Sequence, residues 1–317
     1  MPDEKNLIAF GPVPSRRLGR SLGINNIPSK ICTYSCIYCQ LGKTLKMQIE
    51  RQQFYKPEKI FNTVKDKVKK TKEKKESIDY LTFVSDGEPT LDSDLGKKIS
   101  LLKELAIKIA VITNASLLWK KDVRNQLSFA DWVSLKIDTV DSKIWRKINK
   151  PNYNLIFEKI LDGISNFSLS FKGVLTTETM LIKNVNDKTR TIEDTANFVS
   201  RLNPTKSYLS IPTRPPVESW VKPASEFDLN KAYQIFKKSN INVEYLIGYE
   251  GNDFGYTGDI ETDLLSIASV HPIRKDGIIR LLKKAEKNWS VVDKLLREDR
   301  LIEVEYNGRR FYVRRFK

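Results

Sequence analysis

Cys32, Cys36 and Cys39 stand within eight positions of one another, in the run Cys-Thr-Tyr-Ser-Cys-Ile-Tyr-Cys, and the chain has no other cysteine. A disulfide framework would use an even number of cysteines spread along the chain. Three clustered thiols point to metal instead. A zinc site prefers four Cys or His ligands, commonly in CxxC pairs, and this sequence cannot easily supply the fourth. The single histidine, His271, nearly excludes histidine-rich metal sites and Ser-His-Asp or Cys-His catalysis. The CxxxCxxC spacing lets one tight loop present three thiolates to a single cuboidal cluster. A [4Fe–4S] cluster normally takes four cysteine thiolates. With three, one iron is left open to another ligand, which makes it a place for chemistry as well as electron transfer.

Other candidate groups lie downstream. Ser85-Asp86-Gly87-Glu88-Pro89-Thr90 follows an apolar run, where Gly87 permits close backbone approach and Pro89 is expected to end the strand. Thr113-Asn114-Ala115-Ser116 and Lys136-Ile137-Asp138 end two further apolar runs, and Glu178 lies inside another. Lys136 and Asp138 could equally pair with each other, and Glu178 could be a satisfied internal carboxylate. Arg214, flanked by prolines, suits a clamp on carboxylate or phosphate or a stiff structural loop. Arg16, Arg17 and Arg20 precede the cysteine loop; they suit a phosphate-bearing substrate or the protein's own carboxylates.

The elements that must position these residues alternate. Strand-like runs at 21–27, 80–84, 107–113, 132–137, 176–182, 208–211 and 243–247 are separated by helical patterns near 57–75, 95–105, 120–127, 153–167, 189–202 and 228–239. Strands separated by helices read as βαβ units on a parallel sheet. The fold class expected is α/β, a partial (β/α)6-type parallel barrel whose right-handed crossovers bring the active-site loops to one rim. From about 264 the style changes. Helical patterns at 259–270, 276–286 and 290–300 come without intervening strands, and then two alternating runs flank Asn307-Gly308, a strong hairpin signal. Three helices and a two-stranded wing describe a small winged helix-turn-helix domain, so 1–258 is expected to form the core domain and 259–317 the winged one.

The 317 residues carry 55 Lys and Arg against 39 Asp and Glu, a net charge of +16. Such a balance suits a polyanionic partner such as nucleic acid, although a lysine-rich composition could produce it too. The densest run, 65–75, shares a helical pattern with Ile60, Phe61, Val64 and Val68 and reads as a solvated helix face. From 264 onward there are 14 basic and 7 acidic residues. Lys294, Arg297 and Arg300 fall on one helical face, as a recognition helix gripping phosphates would place them, but winged helices also dock peptides and proteins. No run reaches the roughly 20 apolar residues of a membrane span. The acidic, non-apolar start is no secretion signal, and a cytoplasmic location is expected.

CxxxCxxC with an aromatic residue before the last cysteine is similar to the signature of the radical S-adenosylmethionine superfamily. The resemblance implies that Cys32, Cys36 and Cys39 hold an oxygen-sensitive [4Fe–4S] cluster and that Tyr38 flanks the adenine of S-adenosylmethionine. In that family the cofactor's amino and carboxylate groups chelate the open iron, and one electron cleaves it to methionine and a 5′-deoxyadenosyl radical that abstracts hydrogen from a substrate. Gly87 and Glu88 match a glycine-glutamate turn that touches the methionyl amino group, with Asp86 standing where a second glycine is usual. Asn114, Lys136 and Asp138 then become candidates for ribose or carboxylate contacts. An electron donor such as flavodoxin or ferredoxin is implied.

GPVPSRRLGRSLG, the cysteine motif, SDGEPT, ETMLIKNVND and GYEGNDFGYTGD together resemble a subgroup near the wyosine-base synthases, which act on tRNA; tRNA or another nucleic acid is thus the substrate class implied. Those synthases carry a second cluster on extra cysteines that this chain lacks. That argues against the same carbon–carbon reaction, against sulfur insertion and against methylation through two catalytic cysteines. A glycyl-radical activase or a peptide-modifying enzyme is the alternative within the superfamily. A redox-sensing DNA-binding protein would explain the cluster and wing, but needs no large β/α domain. No residue is singled out here as catalytic.

Overall fold

The computed structural model describes residues 8–248 and 251–315; residues 1–7, Tyr249 and Glu250 of the GYEGNDFGYTGD segment, and the last two residues lie outside them. The main sheet is built from β1 (Ala9–Ser15), β2 (Gly19–Ile24), β5 (Tyr80–Phe83), β6 (Lys108–Thr113), β7 (Trp132–Lys136), β8 (Val174–Met180), β9 (Lys206–Ser210) and β10 (Val243–Leu246), in that spatial order. β2 through β10 run parallel, and β1 pairs antiparallel with β2. The sheet is an open, curled half-barrel in a mixed α/β fold. Strands covered on both faces read as continuous apolar runs, and Ile109, Ala110, Val111, Val133 and Leu135 are all fully buried.

One departure from an all-parallel barrel is β1. The arm Gly11-Pro-Val-Pro14 is itself a strand; its two prolines cannot sit in a central ladder but are tolerated at a sheet edge. A second is Pro89, which does not end β5. The strand stops at Phe83, and Pro89 opens a single 3-10 turn, Pro89–Leu91.

The helix Pro57–Glu73 buries Ile60, Val64 and Val68 at a four-residue spacing and turns most of its lysines to solvent. Lys67 is the exception: it reaches Asp263 at 2.7 Å and Thr257 at 2.8 Å. A short strand pair, β3 (Ile31–Cys32) with β4 (Lys46–Met47), sets the cysteine loop off from the main sheet.

After β10 the order is helix Ile260–Ala268, β11 (Ile273–Arg274), helix Lys275–Lys284, helix Ser290–Arg297, β12 (Leu301–Tyr306) and β13 (Arg309–Arg314). β13 lies between β11 and β12. Asn307 and Gly308 both have positive φ, 49° and 67°, as a two-residue hairpin turn of the right twist demands. These elements share a second core of Leu264, Ile278, Leu281, Val292, Leu295 and Tyr312. The last helix stops at Arg297, with Asp299 at φ 56°, so Arg300 is not on the helical face with Lys294 and Arg297. Among the described residues no helix is long and apolar enough to cross a membrane.

Candidate active site

The cysteine loop rests on the turn after β5. Gly87 has φ +152°, and a Cβ there would lie 2.0 Å from the Ile31 carbonyl oxygen. Only glycine lets this turn lie against β3, where Gly87 bridges Ile31 and the Glu88 amide donates to the Ile31 carbonyl at 3.2 Å. The buried Glu88 carboxylate accepts from the Thr90 amide at 3.0 Å, the Thr90 hydroxyl at 2.6 Å, the Thr113 hydroxyl at 2.6 Å and the Asn114 amide at 2.8 Å. Burial raises its pKa and these donors work against the rise. Glu88 thus ties the end of β6 to the turn that carries the cysteine loop. Asp86 ion-pairs with Lys30 at 3.1 Å; burial holds its carboxyl up at about 6, with Lys30 limiting the rise.

All three cysteines are free and partly exposed. The Asn114 side-chain amide approaches Cys32 Sγ at 3.6 Å, and that of Asn149 approaches Cys36 Sγ at 3.4 Å. Loss of hydration raises the Cys32 thiol well above its ordinary pKa, lifts Cys36 to about 12 and raises Cys39, and the thiols add to one another's cost of ionising. Three mutually repelling thiols that cannot readily ionise alone suit a cationic centre, since the thiolate is the metal ligand. Among the described residues no three His, Cys, Asp or Glu side chains converge as they would on a single ion. A cuboidal cluster would take each of the three thiolates on a different iron.

Beside the loop opens a cavity of about 850 Å³ lined by Tyr38, Cys39 and Gln40 from the loop, by Lys136, Glu178 and Ser210 from three neighbouring strands, and by part of the C-terminal hairpin. Glu178 accepts from Arg17 at 2.5 Å, Lys136 at 2.7 Å and the Ser210 hydroxyl at 2.9 Å. Burial would raise its pKa; Lys136 and Arg17 outweigh burial and hold it at about 2. The Tyr38 hydroxyl donates to Asp138 at 2.6 Å, with the Lys136 ammonium 5.1 Å from the ring centre. Asp138 also accepts from the Met180 amide at 2.9 Å and from Asn149 at 3.2 Å.

A model of the radical SAM superfamily matches residues 26–199. The chain belongs to the radical SAM superfamily. A UPF0026 protein of Methanocaldococcus jannaschii is 46% identical to it over 312 residues, 98% of this chain and 97% of that protein. A UPF0026 protein of Helicobacter pylori strain J99 is 37% identical over 219 residues, 68% of this chain and 69% of that one. Among solved structures, a radical SAM methyltransferase from Sphaerobacter thermophilus superposes with a TM-score of 0.53 at 13% identity, over 72% of this chain and 66% of that one, a likeness of fold.

In this radical SAM chain the sequence candidates divide into two groups. Tyr38 and Lys136 line the cavity, whereas Gly87, Glu88, Asn114 and Asp138 are not among its lining residues and hold the cysteine loop and Tyr38 in place. Lys136 lies 3.9 Å from Asp138 and closer to Glu178, so its main partner is the latter. Of the arm's arginines, Arg17 serves Glu178, Arg20 serves Glu76 and Asp253, and Arg16 donates to the Tyr245 carbonyl at 2.9 Å. Arg214 lines the cavity, donating to Gln40 at 2.9 Å and to His271 at 3.0 Å. Lys294 and Arg300 meet Glu261 at 2.7 and 3.5 Å, which leaves little of the expected phosphate-gripping face.

Sequence reasoning missed Asn149, Gln40 and the hairpin's share of the cavity. The helix Ser142–Asn149 that delivers Asn149 has a readable start: the Asp141 carboxylate caps the amides of Lys143 and Ile144.

Proposed function

We propose that the protein is an enzyme that holds a [4Fe–4S] cluster on Cys32, Cys36 and Cys39, binds S-adenosylmethionine beside it and uses the 5′-deoxyadenosyl radical to take hydrogen from a substrate. One observation carries this reading: the loop that bears all three free thiols borders, through Tyr38, Cys39 and Gln40, a cavity of about 850 Å³ at the carboxyl ends of parallel strands. When bound and reduced by a donor such as flavodoxin or ferredoxin, the cluster would supply the electron that splits the cofactor. The chain's own residues orient and enclose. Tyr38 would offer its ring to the adenine, its hydroxyl anchored by Asp138. Lys136, steered by Glu178, would face a ribose or carboxylate oxygen. Gly87, Glu88 and Asn114 would hold the loop at the right height, with the Gly87-Glu88 turn next to the methionyl amino group.

A sensor without an enzymatic role would need no cavity of this size beside its cysteines, so the enzyme reading is favoured. The order helix, strand, helix, helix, hairpin supports a winged helix in 259–317 beside a core in 1–258. The subgroup near the wyosine-base synthases rests on the motifs, and nucleic acid, tRNA first, is the substrate class it favours. The test is cofactor cleavage by the anaerobically reconstituted protein with pooled tRNA or pooled peptides added. Stimulation by tRNA is expected; stimulation by peptides alone would replace this substrate reading with a peptide-modifying or activase role.

A further inference from the structure

Part of the surroundings of the cysteine loop lies outside the cavity. The Ser35 amide donates to the carbonyls of Asn149 and Lys150 at 3.0 and 3.2 Å, and the Ile37 amide to the Ile148 carbonyl at 2.9 Å. The Glu218 amide donates to the Ile37 carbonyl at 3.2 Å, and the Thr44 hydroxyl to the Tyr34 carbonyl at 2.6 Å. Val221 is buried with Ile37 and Ile148. Segments 43–47, 147–150 and 218–221 are thereby laced to residues 34–37, which include Cys36. The surface they present is basic and partly apolar. Lys43, Lys46 and Lys147 are exposed and form no ion pair with any described residue. Glu218 pairs with Lys150 at 2.5 Å; Lys150 first, and Lys43 after it, hold its carboxyl below the usual range. Trp220 is 49% exposed, with the Lys147 ammonium 6.0 Å from its ring centre, and Leu45 is 80% exposed. None of these side chains lines the cavity.

Resting on the [4Fe–4S] reading above, we propose that this face is the docking site of a small acidic electron-carrier protein. Lys43, Lys46 and Lys147 meet its carboxylates, and Trp220 and Leu45 supply the apolar contact. The carrier gives up one electron, the cluster takes it up across the cysteine loop, and no bond forms or breaks. A substrate must bring its reacting carbon into the cavity, whereas an electron has only to cross the loop. A partner seated outside the cavity therefore suits the electron's route better than the substrate's. Electron-transfer encounters bury little area and are short-lived. Complementary charge serves such encounters well, because it steers approach and raises the association rate more than it raises affinity. Trp is enriched in the cores of protein interfaces, and here it stands among the lysines that would do the steering.

The test uses the reconstituted protein and a flavodoxin of net negative charge. Wild type is compared with Lys43→Glu/Lys147→Glu, with the milder Lys43→Gln/Lys147→Gln, and with Lys69→Glu/Lys72→Glu, which makes the same charge change on an exposed helix elsewhere. Affinity for the oxidised flavodoxin is read by calorimetric titration, and the rate of cluster reduction by the reduced flavodoxin by stopped flow. Both are expected to fall about tenfold or more in Lys43→Glu/Lys147→Glu, less in the Gln variant and little in the helix control. The wild-type rate should drop as salt is raised, and dithionite should reduce all four proteins alike. Equal flavodoxin affinity in wild type and Lys43→Glu/Lys147→Glu, or an equal loss in the helix control, overturns the proposal. So does a loss of pooled tRNA binding in Lys43→Glu/Lys147→Glu with flavodoxin unaffected, which would give the face to nucleic acid. A wild type that takes electrons through this face yet forms no 5′-deoxyadenosine would sink the enzyme reading and leave the docking site standing.

Discussion

The Arg214 guanidinium donates to Nε2 of His271 across 3.0 Å. A guanidinium can only donate, so the imidazole is neutral with its proton on Nδ1. Because Arg214 also donates to Gln40, the residue after Cys39, the chain's single histidine joins the cysteine loop, the loop after β9 and the C-terminal module at one junction. Burial first, and Arg214 second, push the His271 pKa well below its ordinary 6.5. The unfolded chain therefore binds a proton that the folded one refuses, and stability must fall as pH drops below about 6.5. Replacing His271 with Leu should remove that component of the pH dependence and lower the thermal midpoint at pH 8, where the lost acceptor still matters. Denaturant midpoints between pH 5 and 8 check this; parallel profiles for wild type and variant would contradict it.

Glu178 gives the second pH dependence. Its carboxyl is held at about 2 against an ordinary 4.5, so its stabilisation is complete above pH 4.5 and is lost as pH falls toward 2. Linkage sets its size at roughly 3 kcal/mol. Glu178→Gln should lower stability at pH 7 by up to that amount, and the gap from wild type should narrow steadily below pH 4.5. A gap independent of pH would mean that Arg17 and Lys136 do not act on Glu178 as charges.

Gly87→Ala places a methyl group 2.0 Å from the Ile31 carbonyl oxygen, and the backbone on either side must shift. We expect a loss of about 2 kcal/mol or more together with reduced iron loading, because Cys32 follows Ile31 directly in β3. Both are read from one preparation, by denaturant midpoint and by iron assay after reconstitution. Full stability with full iron content would show that the turn does not position the cysteine loop.

What the sequence revealed and what it hid follow from the range of the interactions. The cysteine spacing, the alternation of apolar runs with helical patterns and the Asn307-Gly308 turn are local signals, and the last two match elements of the structure. β1 was hidden because Pro12 and Pro14 depress any strand signal, and only the sheet edge makes them acceptable. Glu88 was legible as part of a motif, but its partners Thr113 and Asn114 come from another strand. The basic run ending at Arg300 looked like one helical face, until Asp299 turned left-handed and Glu261, from a helix some thirty residues earlier, claimed Lys294. The hairpin's place in the cavity wall involves a contact between Tyr306 and Pro212, 94 residues apart in the chain, for which no local pattern exists.

The central claim is tested most directly by 5′-deoxyadenosine. Wild type and Cys36→Ala are reconstituted anaerobically with iron and sulfide, reduced in the presence of S-adenosylmethionine and assayed by mass spectrometry. The account predicts 5′-deoxyadenosine from wild type in proportion to loaded iron, and neither normal iron content nor product from Cys36→Ala. A fully loaded, reduced wild type that forms none, or a Cys36→Ala variant that loads iron and forms it normally, would contradict the account.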